Sequence, residues 1–504
     1  MYSLDNLPFS NSYAALGEAF SSRVRPTPFR TPARLLHFND AAAALLGLAP
    51  DAQVAPELLH YLSGQSLPEG AAPLAMLYAG HQFGHYVPQL GDGRAIMLGE
   101  TTTAAGERWE LQLKGSGLTP YSRDGDGRAV LRSTIREYLC SEAMHGLGIP
   151  TTRALALVGS ADEIYRERIE PGAMLTRLAS SHVRFGSFEV FFYRNQFEHI
   201  RTLADYVIAH HYPDLQDEAN PYLALLQTVM ERTADLIAQW QAVGFAHGVM
   251  NSDNMSILGL TLDYGPFGFM EAYDPKYICN HSDHSGRYAF EQQAEIGLFN
   301  MSCLAQALLP LLHEVPEQGV VLARAVLDQY QGRFVEHYAR LMRAKLGLQD
   351  ERPEDQALLQ DLLDLMAANQ TDYTILFRRL GEYKTPGGLR SANPPHDAQT
   401  SVRDLFLDRD AFDAWAKRYA ARLQAEQSDD AARKLRMNQV NPKYILRNYL
   451  AEVAIRKAED EQDYTEIDTL FRLLQRPFDE QADHEAYAGH PPAWATKIAV
   501  SCSS

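Results

Sequence analysis

Two short polar signals, Asp253-Asn254 and Asp263-Tyr264-Gly265, flank the largely apolar run 255–262. Each alone is ordinary turn chemistry, because Asp and Asn side chains bond their own backbone in turns. The run between them carries Ile257, Leu258, Leu260 and Leu262 and predicts a short buried hairpin. A hairpin brings its ends together, here the amide oxygen of Asn254 and the carboxylate of Asp263. Hard oxygen ligands of this kind suit Mg²⁺ or Mn²⁺, which keep water and phosphate oxygens as further ligands. Asp253, next to Asn254, is the best-placed candidate for a proton acceptor.

The elements that must position these groups fall into two halves. Residues 40–48 predict a short helix. Residues 88–100 read as two strands joined by a Gly91-Asp92-Gly93 turn, and 108–114 alternates as a half-buried strand ending at Lys114. A polar, Gly-rich loop spans 115–127. The stripe Leu131, Ile135, Leu139 and Ala143, closed by Gly146, predicts a helix over 128–146. Strands are predicted at 154–159 and 164–169. Helices are predicted at 222–243, 291–309, 319–345, 355–368, 410–427 and 442–461, with a Pro/Gly loop at 384–399. The expected architecture is α+β: a small sheet-rich N-lobe followed by a larger helical C-lobe. The expected divisions are 1–170 for the sheet-rich nucleotide-binding lobe, 171–490 for the helical lobe with the metal and catalytic loop, and 491–504 for a tail carrying Cys502.

The order of chemical groups resembles that of protein kinases. There a strand Lys pairs with a helix Glu, and a metal-binding Asn and an Asp-Phe-Gly-like motif follow. Lys114, Glu137, Asn254 and Asp263 stand in that order, and His247 fits the start of the catalytic-loop motif. Val249 occupies the place of the Asp that orients the acceptor hydroxyl in a kinase. A valine cannot accept a proton, so ordinary γ-phosphoryl transfer is disfavoured.

A closer resemblance runs through Gly248 to Phe267 (GVMNSDNMSILGLTLDYGPF) and through Tyr78-Ala79-Gly80-His81-Gln82-Phe83-Gly84. It includes Gln112-Leu113-Lys114-Gly115-Ser116-Gly117 and Thr119-Pro120-Tyr121-Ser122-Arg123. These segments are similar to the selenoprotein O (YdiU) family, from about residue 5 to the end. The resemblance implies a pseudokinase fold that binds ATP in a flipped orientation and transfers AMP to Ser, Thr or Tyr hydroxyls of proteins. UMP transfer from UTP is implied as well. Carried over residue by residue, it implies nucleotide contacts from Gly91, Gly93, Arg94, Lys114, Asp126, Gly127, Arg177 and Arg184. It also implies Asn254 and Asp263 as metal ligands and Asp253 as proton acceptor. The residues themselves agree in part. A Gly-Asp-Gly turn admits close backbone approach. Gly125-Asp126-Gly127 precedes the expected helix, whose N-terminal N–H groups attract phosphate. Arg177 and Arg184 would face one way if their segment were helical. Some family members carry a selenocysteine where Cys502 stands, and a redox pairing of Cys502 with Cys279 is the corresponding expectation.

Composition narrows the partners. With 46 Lys+Arg against 64 Asp+Glu, the 504-residue chain carries a formal charge of −18. That disfavours a sequence-blind nucleic-acid binder and an anionic membrane surface. The N-terminal stretch has no secretory-signal pattern, and the expectation is a cytoplasmic protein. Four cysteines, none in a C-x-x-C pair, make a disulfide scaffold or a thiolate zinc site improbable, and none of the 17 histidines is assigned to metal. A protein nucleotidyltransferase, an atypical kinase using Asp253, and a non-catalytic nucleotide-binding scaffold remain the alternatives.

Overall fold

A computed structural model describes residues 2–386 and 402–501. Most of the expected loop 384–399, and Cys502 with its expected pairing to Cys279, lie outside the described residues. Ten strands occupy the N-terminal half: β1 (Ser21–Arg23), β2 (Arg34–Phe38), β3 (Leu74–Met76), β4 (Gly80–Gln82), β5 (His85–Val87), β6 (Ala95–Thr102), β7 (Arg108–Lys114), β8 (Ala129–Val130), β9 (Arg153–Tyr165) and β10 (Ile169–Ala179). All but β4 and β5 form one sheet in the order β1-β3-β6-β7-β10-β9-β2, with β8 paired to β10, and every ladder in it is antiparallel. β4 and β5 make a separate hairpin.

The helices α1 (Asp40–Leu45), α2 (Pro56–Leu62) and α3 (Leu131–Gly146) accompany the sheet. α4 (Gly186–Tyr193), α5 (Phe197–His211), α6 (Pro221–Val243), α7 (Gln293–Leu312), α8 (Pro316–Leu327), α9 (Tyr330–Lys345), α10 (Asp355–Asn369) and α11 (Tyr373–Leu380) build the rest, with later helices at Arg409–Ala425, Asp430–Val440, Asn448–Arg456 and Thr465–Leu474. Short strands β11 (Phe245–Ala246) and β12 (Gly268–Phe269) pair across the segment that holds the acidic signals. The boundaries of α6 are chemically explicit. The Asn220 side chain accepts the N–H of Leu223, Pro221 fills the first turn, and Gly244 closes the helix in the left-handed region at φ 74°.

Several expectations need correction. The helix expected over 128–146 begins only at Leu131, because Ala129 and Val130 pair with Ala173 and Gly172 of β10. The strand expected at 164–169 is the end of β9 and a turn, and β10 runs on to Ala179, carrying the sheet past residue 170. The single helix expected over 319–345 is two, α8 and α9, parted at Asp328–Gln329. The last part of 442–461 is a π-helical turn at Lys457–Glu461. Of the two strands expected within 88–100, only β6 forms.

α3 lies against β9 and β10, and the helices Asn448–Arg456 and Thr465–Leu474 return to pack on its other side. Its buried Ile135, Tyr138 and Leu139 join one apolar core with Leu175 of β10 and with Trp240 of α6. A second core fills the space between α9, α10, α11 and Arg409–Ala425, and a third lies under α1 and α2. Phe290–Leu312 is long and apolar enough to cross a membrane, yet most of it is buried against α4, α6 and α8.

Candidate active site

The adjacent strands β7 and β10, with α3 packed beside β10, set the first cations in place. Lys114, the last residue of β7, reaches Glu137 of α3 with Nζ 2.5 Å from Oε2. Arg177 lies on β10 opposite Gln112 of β7 and donates from Nε to the Gln112 Oε1 at 3.1 Å. The same guanidinium bonds Glu137 Oε1 at 3.0 Å and Asp263 Oδ1 at 2.6 Å. Arg184 lies in the connection between β10 and α4, bridged to Ser256. It donates to the Asp253 carbonyl at 2.8 Å and to the Asp263 carboxylate, and it stacks over Tyr78 at 4.8 Å from the ring centre. Arg177 and Arg184 therefore share no helix: one is on a strand, the other in a loop, and both turn to Asp263.

Asp263 also takes Lys114, at 3.3 Å. Burial alone would raise its pKa, but Arg184, Arg177 and Lys114 outweigh that and hold the carboxyl well below the usual range. Its backbone is in the left-handed region at φ 59°, an uncommon conformation for a residue with a side chain. The preceding peptide is anchored by His247, whose Nε2–H donates to the Leu262 carbonyl at 2.9 Å while its ring stacks on Trp240. The kinase-like histidine thus serves to hold the loop. Met255 pairs antiparallel with Thr261, the closure expected of the hairpin, so Asn254 and Asp263 leave it at the same end.

Asp253 is buried, and desolvation pushes its pKa up to about 7 despite a hydrogen bond from Gln82 (Nε2 to Oδ2, 3.0 Å) and the nearby Arg184 charge. Its Oδ1 has no hydrogen-bond partner. Gly80 makes room for it, since a Cβ there would lie 2.7 Å from that oxygen. Asn254 donates its amide nitrogen to the Val249 carbonyl at 2.9 Å, which leaves the amide oxygen to accept or to ligate.

The Gly91-Asp92-Gly93 turn is held from beneath. The buried Asp92 carboxylate accepts the Met76 N–H at 3.0 Å and the Gln112 amide at 3.2 Å. Gly91, at φ 91°, passes so close that a Cβ would sit 2.7 Å from the Tyr121 ring. Residues 88–94 form no strand, although Leu90 and Asp92 donate their N–H groups to the Tyr78 and Met76 carbonyls at 3.0 and 2.9 Å. In the loop 115–127, Gly127 takes φ 70° with its carbonyl accepting the Gly117 N–H at 2.9 Å. Asp126 stands at the rim, where Arg166 grips it with two bonds of 2.7 and 2.9 Å. Desolvation opposes ionisation there, but Arg166 and the Arg128 N–H lower its pKa. β8 intervenes between this loop and α3, so Asp126 and Gly127 are not themselves at the helix N-terminus; Ser133 and Thr134 of the first turn face the cavity instead.

Apart from His247, which holds the loop from behind, the residues singled out from the sequence for this site line one cavity of about 630 Å³. Its volume is within the range of ligand pockets. Lys114, Arg94, Arg177, Arg184 and Arg166 line it beside the carboxylates of Asp92, Asp126, Glu137, Asp253 and Asp263, and guanidinium forks suit phosphate oxygens. The donor set fits a hard divalent ion, with Asn254 and Asp263 both on the cavity wall. A cation taken by Asp263 would displace one of its three basic partners. Sequence reasoning missed Gln82, which bonds Asp253, and Gln112, which aligns Arg177, although both lie in segments that carried the family resemblance. Arg166 sits in a polar turn and had no signal at all.

A nucleotide-sized cavity with a cluster of basic side chains, an oxygen-donor pair and a buried carboxylate marks an enzyme that handles nucleoside phosphates. Residues 3–475 match the family described as protein adenylyltransferase SelO, and the chain belongs to that family. It is 59% identical to the protein nucleotidyltransferase YdiU of Thioalkalivibrio sulfidiphilus over the full length of both chains. Full-length identities of 56% and 54% relate it to proteins of the same name from Thiobacillus denitrificans and Myxococcus xanthus.

Proposed function

We propose that this protein transfers a nucleoside monophosphate, AMP from ATP or UMP from UTP, to Ser, Thr or Tyr hydroxyls of protein substrates. The framework we propose is kinase-like and two-lobed. Support comes from Lys114 ending a strand, Glu137 on the helix that follows, and β10 inserted between β7 and β9. The observation that carries the reading is the pairing of a buried carboxylate, Asp253, with the basic cluster Lys114, Arg177 and Arg184 on one cavity, while Val249 supplies no carboxylate.

The basic cluster neutralises the β- and γ-phosphates of an inverted nucleotide, with Gly91, Gly93 and Gly127 allowing close backbone approach and Arg94 adding charge. The α-phosphorus then faces the acceptor. The acceptor oxygen forms its bond to the α-phosphorus as the bond to the bridging oxygen breaks. Pyrophosphate leaves with that electron pair, and the hydroxyl proton passes to Asp253. Glu137 holds Lys114 and Arg177 in place. Asn254 and Asp263 would hold Mg²⁺ or Mn²⁺, which when bound neutralises phosphate oxygens. Positioning and charge neutralisation supply most of the rate.

The products test the reading. Incubated with ATP, Mg²⁺ and an acceptor protein, the chain is expected to release pyrophosphate in step with acceptor modification. ADP formed in step with a phosphorylated acceptor would contradict it.

A further inference from the structure

Behind the catalytic wall, β4, α4 and α7 each contribute one metal-ligating side chain to a single point. These are His81, Glu189 and Cys303, whose ligand atoms all lie within 4.8 Å of one another. His81 Nδ1 is 2.5 Å from Glu189 Oε2, and the two side chains are 12% and 1% exposed. The second carboxylate oxygen of Glu189, Oε1, is buried and has no hydrogen-bond partner. Cys303 is buried, and burial with the nearby Glu189 pushes its thiol up to about 12, although Arg287 opposes this. The surroundings are aromatic: Tyr86, Tyr193 and Phe299 rings lie 5.4, 5.9 and 5.8 Å from the His81 ring. A buried carboxyl with one unsatisfied oxygen in such a setting is costly unless a partner meets that oxygen.

We propose that His81, Glu189 and Cys303 form a binding site for a tetrahedral, borderline-soft divalent ion of the Zn²⁺ class, distinct from the hard-cation position at Asn254 and Asp263. A nitrogen, an oxygen and a sulfur donor suit such an ion and not Mg²⁺. Tetrahedral coordination with bonds of about 2.0–2.3 Å spaces its ligand atoms by roughly 3.3–3.8 Å, so the His–Glu pair opens by about 1 Å to admit it. The ion replaces the proton shared by that pair and takes the thiol as thiolate, with release of its proton. A water fills the fourth position. The Tyr193 hydroxyl, 3.5 Å from His81 Nε2, stands where an outer partner orients a ligating imidazole.

The site adjoins the proposed base directly. His81 donates its backbone N–H to Ser252 Oγ at 2.7 Å, and its neighbours on β4 are Gly80, packed on Asp253, and Gln82, bonded to it. A bound ion therefore fixes β4 to α4 and α7 and sets the position of Asp253.

The test uses the full chain, stripped with a chelator and titrated with Co²⁺ in excess Mg²⁺. One equivalent is expected to bind, with thiolate-to-cobalt charge-transfer absorption and the visible bands of a tetrahedral ion. Cys303→Ser removes the charge-transfer absorption, Glu189→Gln and His81→Gln weaken binding at least tenfold, and Cys502→Ser and Asp263→Asn leave the spectrum intact. Circular dichroism establishes that each variant is folded, and the His81 and Glu189 variants decide the matter if Cys303→Ser is not. Absence of uptake by the folded wild type, or uptake and absorption unchanged in the ligand variants, would overturn the proposal.

Discussion

At the scale of single residues, the site is an arrangement of unequal carboxylates. Asp263 is surrounded by three basic groups and stays ionised, whereas Asp253 pairs with an amide and keeps one buried oxygen without a partner. Separate environments of this kind assign separate roles. Replacing Asp253 by Asn keeps its size and its tie to Gln82 but removes the proposed proton acceptor. Transfer is expected to fall by roughly 10²–10⁴-fold, with nucleotide binding, followed by a fluorescent ATP analogue, changed only a few-fold. Asp263→Asn has a different signature. It leaves Arg184 without its carboxylate partner and Lys114 and Arg177 with Glu137 alone, and breaking a buried pair of this kind costs about 3–5 kcal/mol. Thermal unfolding of this variant should show a lowered Tm that ATP partly restores, because the triphosphate replaces the missing negative charge. A Tm equal to that of the wild type would mean that the cations do not depend on Asp263.

At the scale of elements, glycines set how closely two loops approach. A Cβ on Gly127 would lie 2.2 Å from the Gly117 carbonyl carbon, whereas Gly106, also at positive φ, has nothing within 4 Å. Gly127→Ala is expected to raise the KM for ATP, and Gly106→Ala to cost only backbone strain, about 1 kcal/mol, with KM unchanged. Steady-state kinetics of the two variants separates loop displacement from strain. Where α9 meets α11, Lys345 is buried against the Tyr373 and Phe377 rings, and desolvation lowers its pKa to about 7. The unfolded chain takes up this proton below about pH 10.4, while the folded chain resists it down to about 7. The group therefore costs stability increasingly as pH falls from about 10 to 7. Lys345→Met should raise the Tm at pH 7, and the gain should shrink toward pH 10 in a series of melts.

The elements also show what the sequence could and could not reveal. α6 was legible because its apolar stripe, its cap and its closing glycine agree. β10 was not, because Gly172 through Ala179 lack the alternation that marks a half-buried strand: the run is buried on both faces throughout. That hid the strand position of Arg177. The break between α8 and α9 at Asp328–Gln329 carries no Pro or Gly, so no punctuation marked it within the single helix expected there. The candidate site residues themselves were legible through motif order and resemblance. Their partners Gln82, Gln112 and Arg166 were not, because a hydrogen bond across 65 or 171 positions leaves no local pattern.

At the scale of the whole molecule, the cavity joins the two halves of the chain. The sheet and α3 contribute Lys114, Glu137 and Arg177, and the segment after α6 contributes Asp253, Asn254 and Asp263. The central claim is that the basic cluster takes the terminal phosphates and leaves the α-phosphorus for the acceptor. The most direct measurement supplies ATP labelled in parallel at the α- or the γ-phosphate, with Mg²⁺ or Mn²⁺, and follows label on an acceptor protein and on the chain itself. Protein-bound α-label without γ-label, lost in Asp253→Asn, is the expected result; protein-bound γ-label would contradict the account.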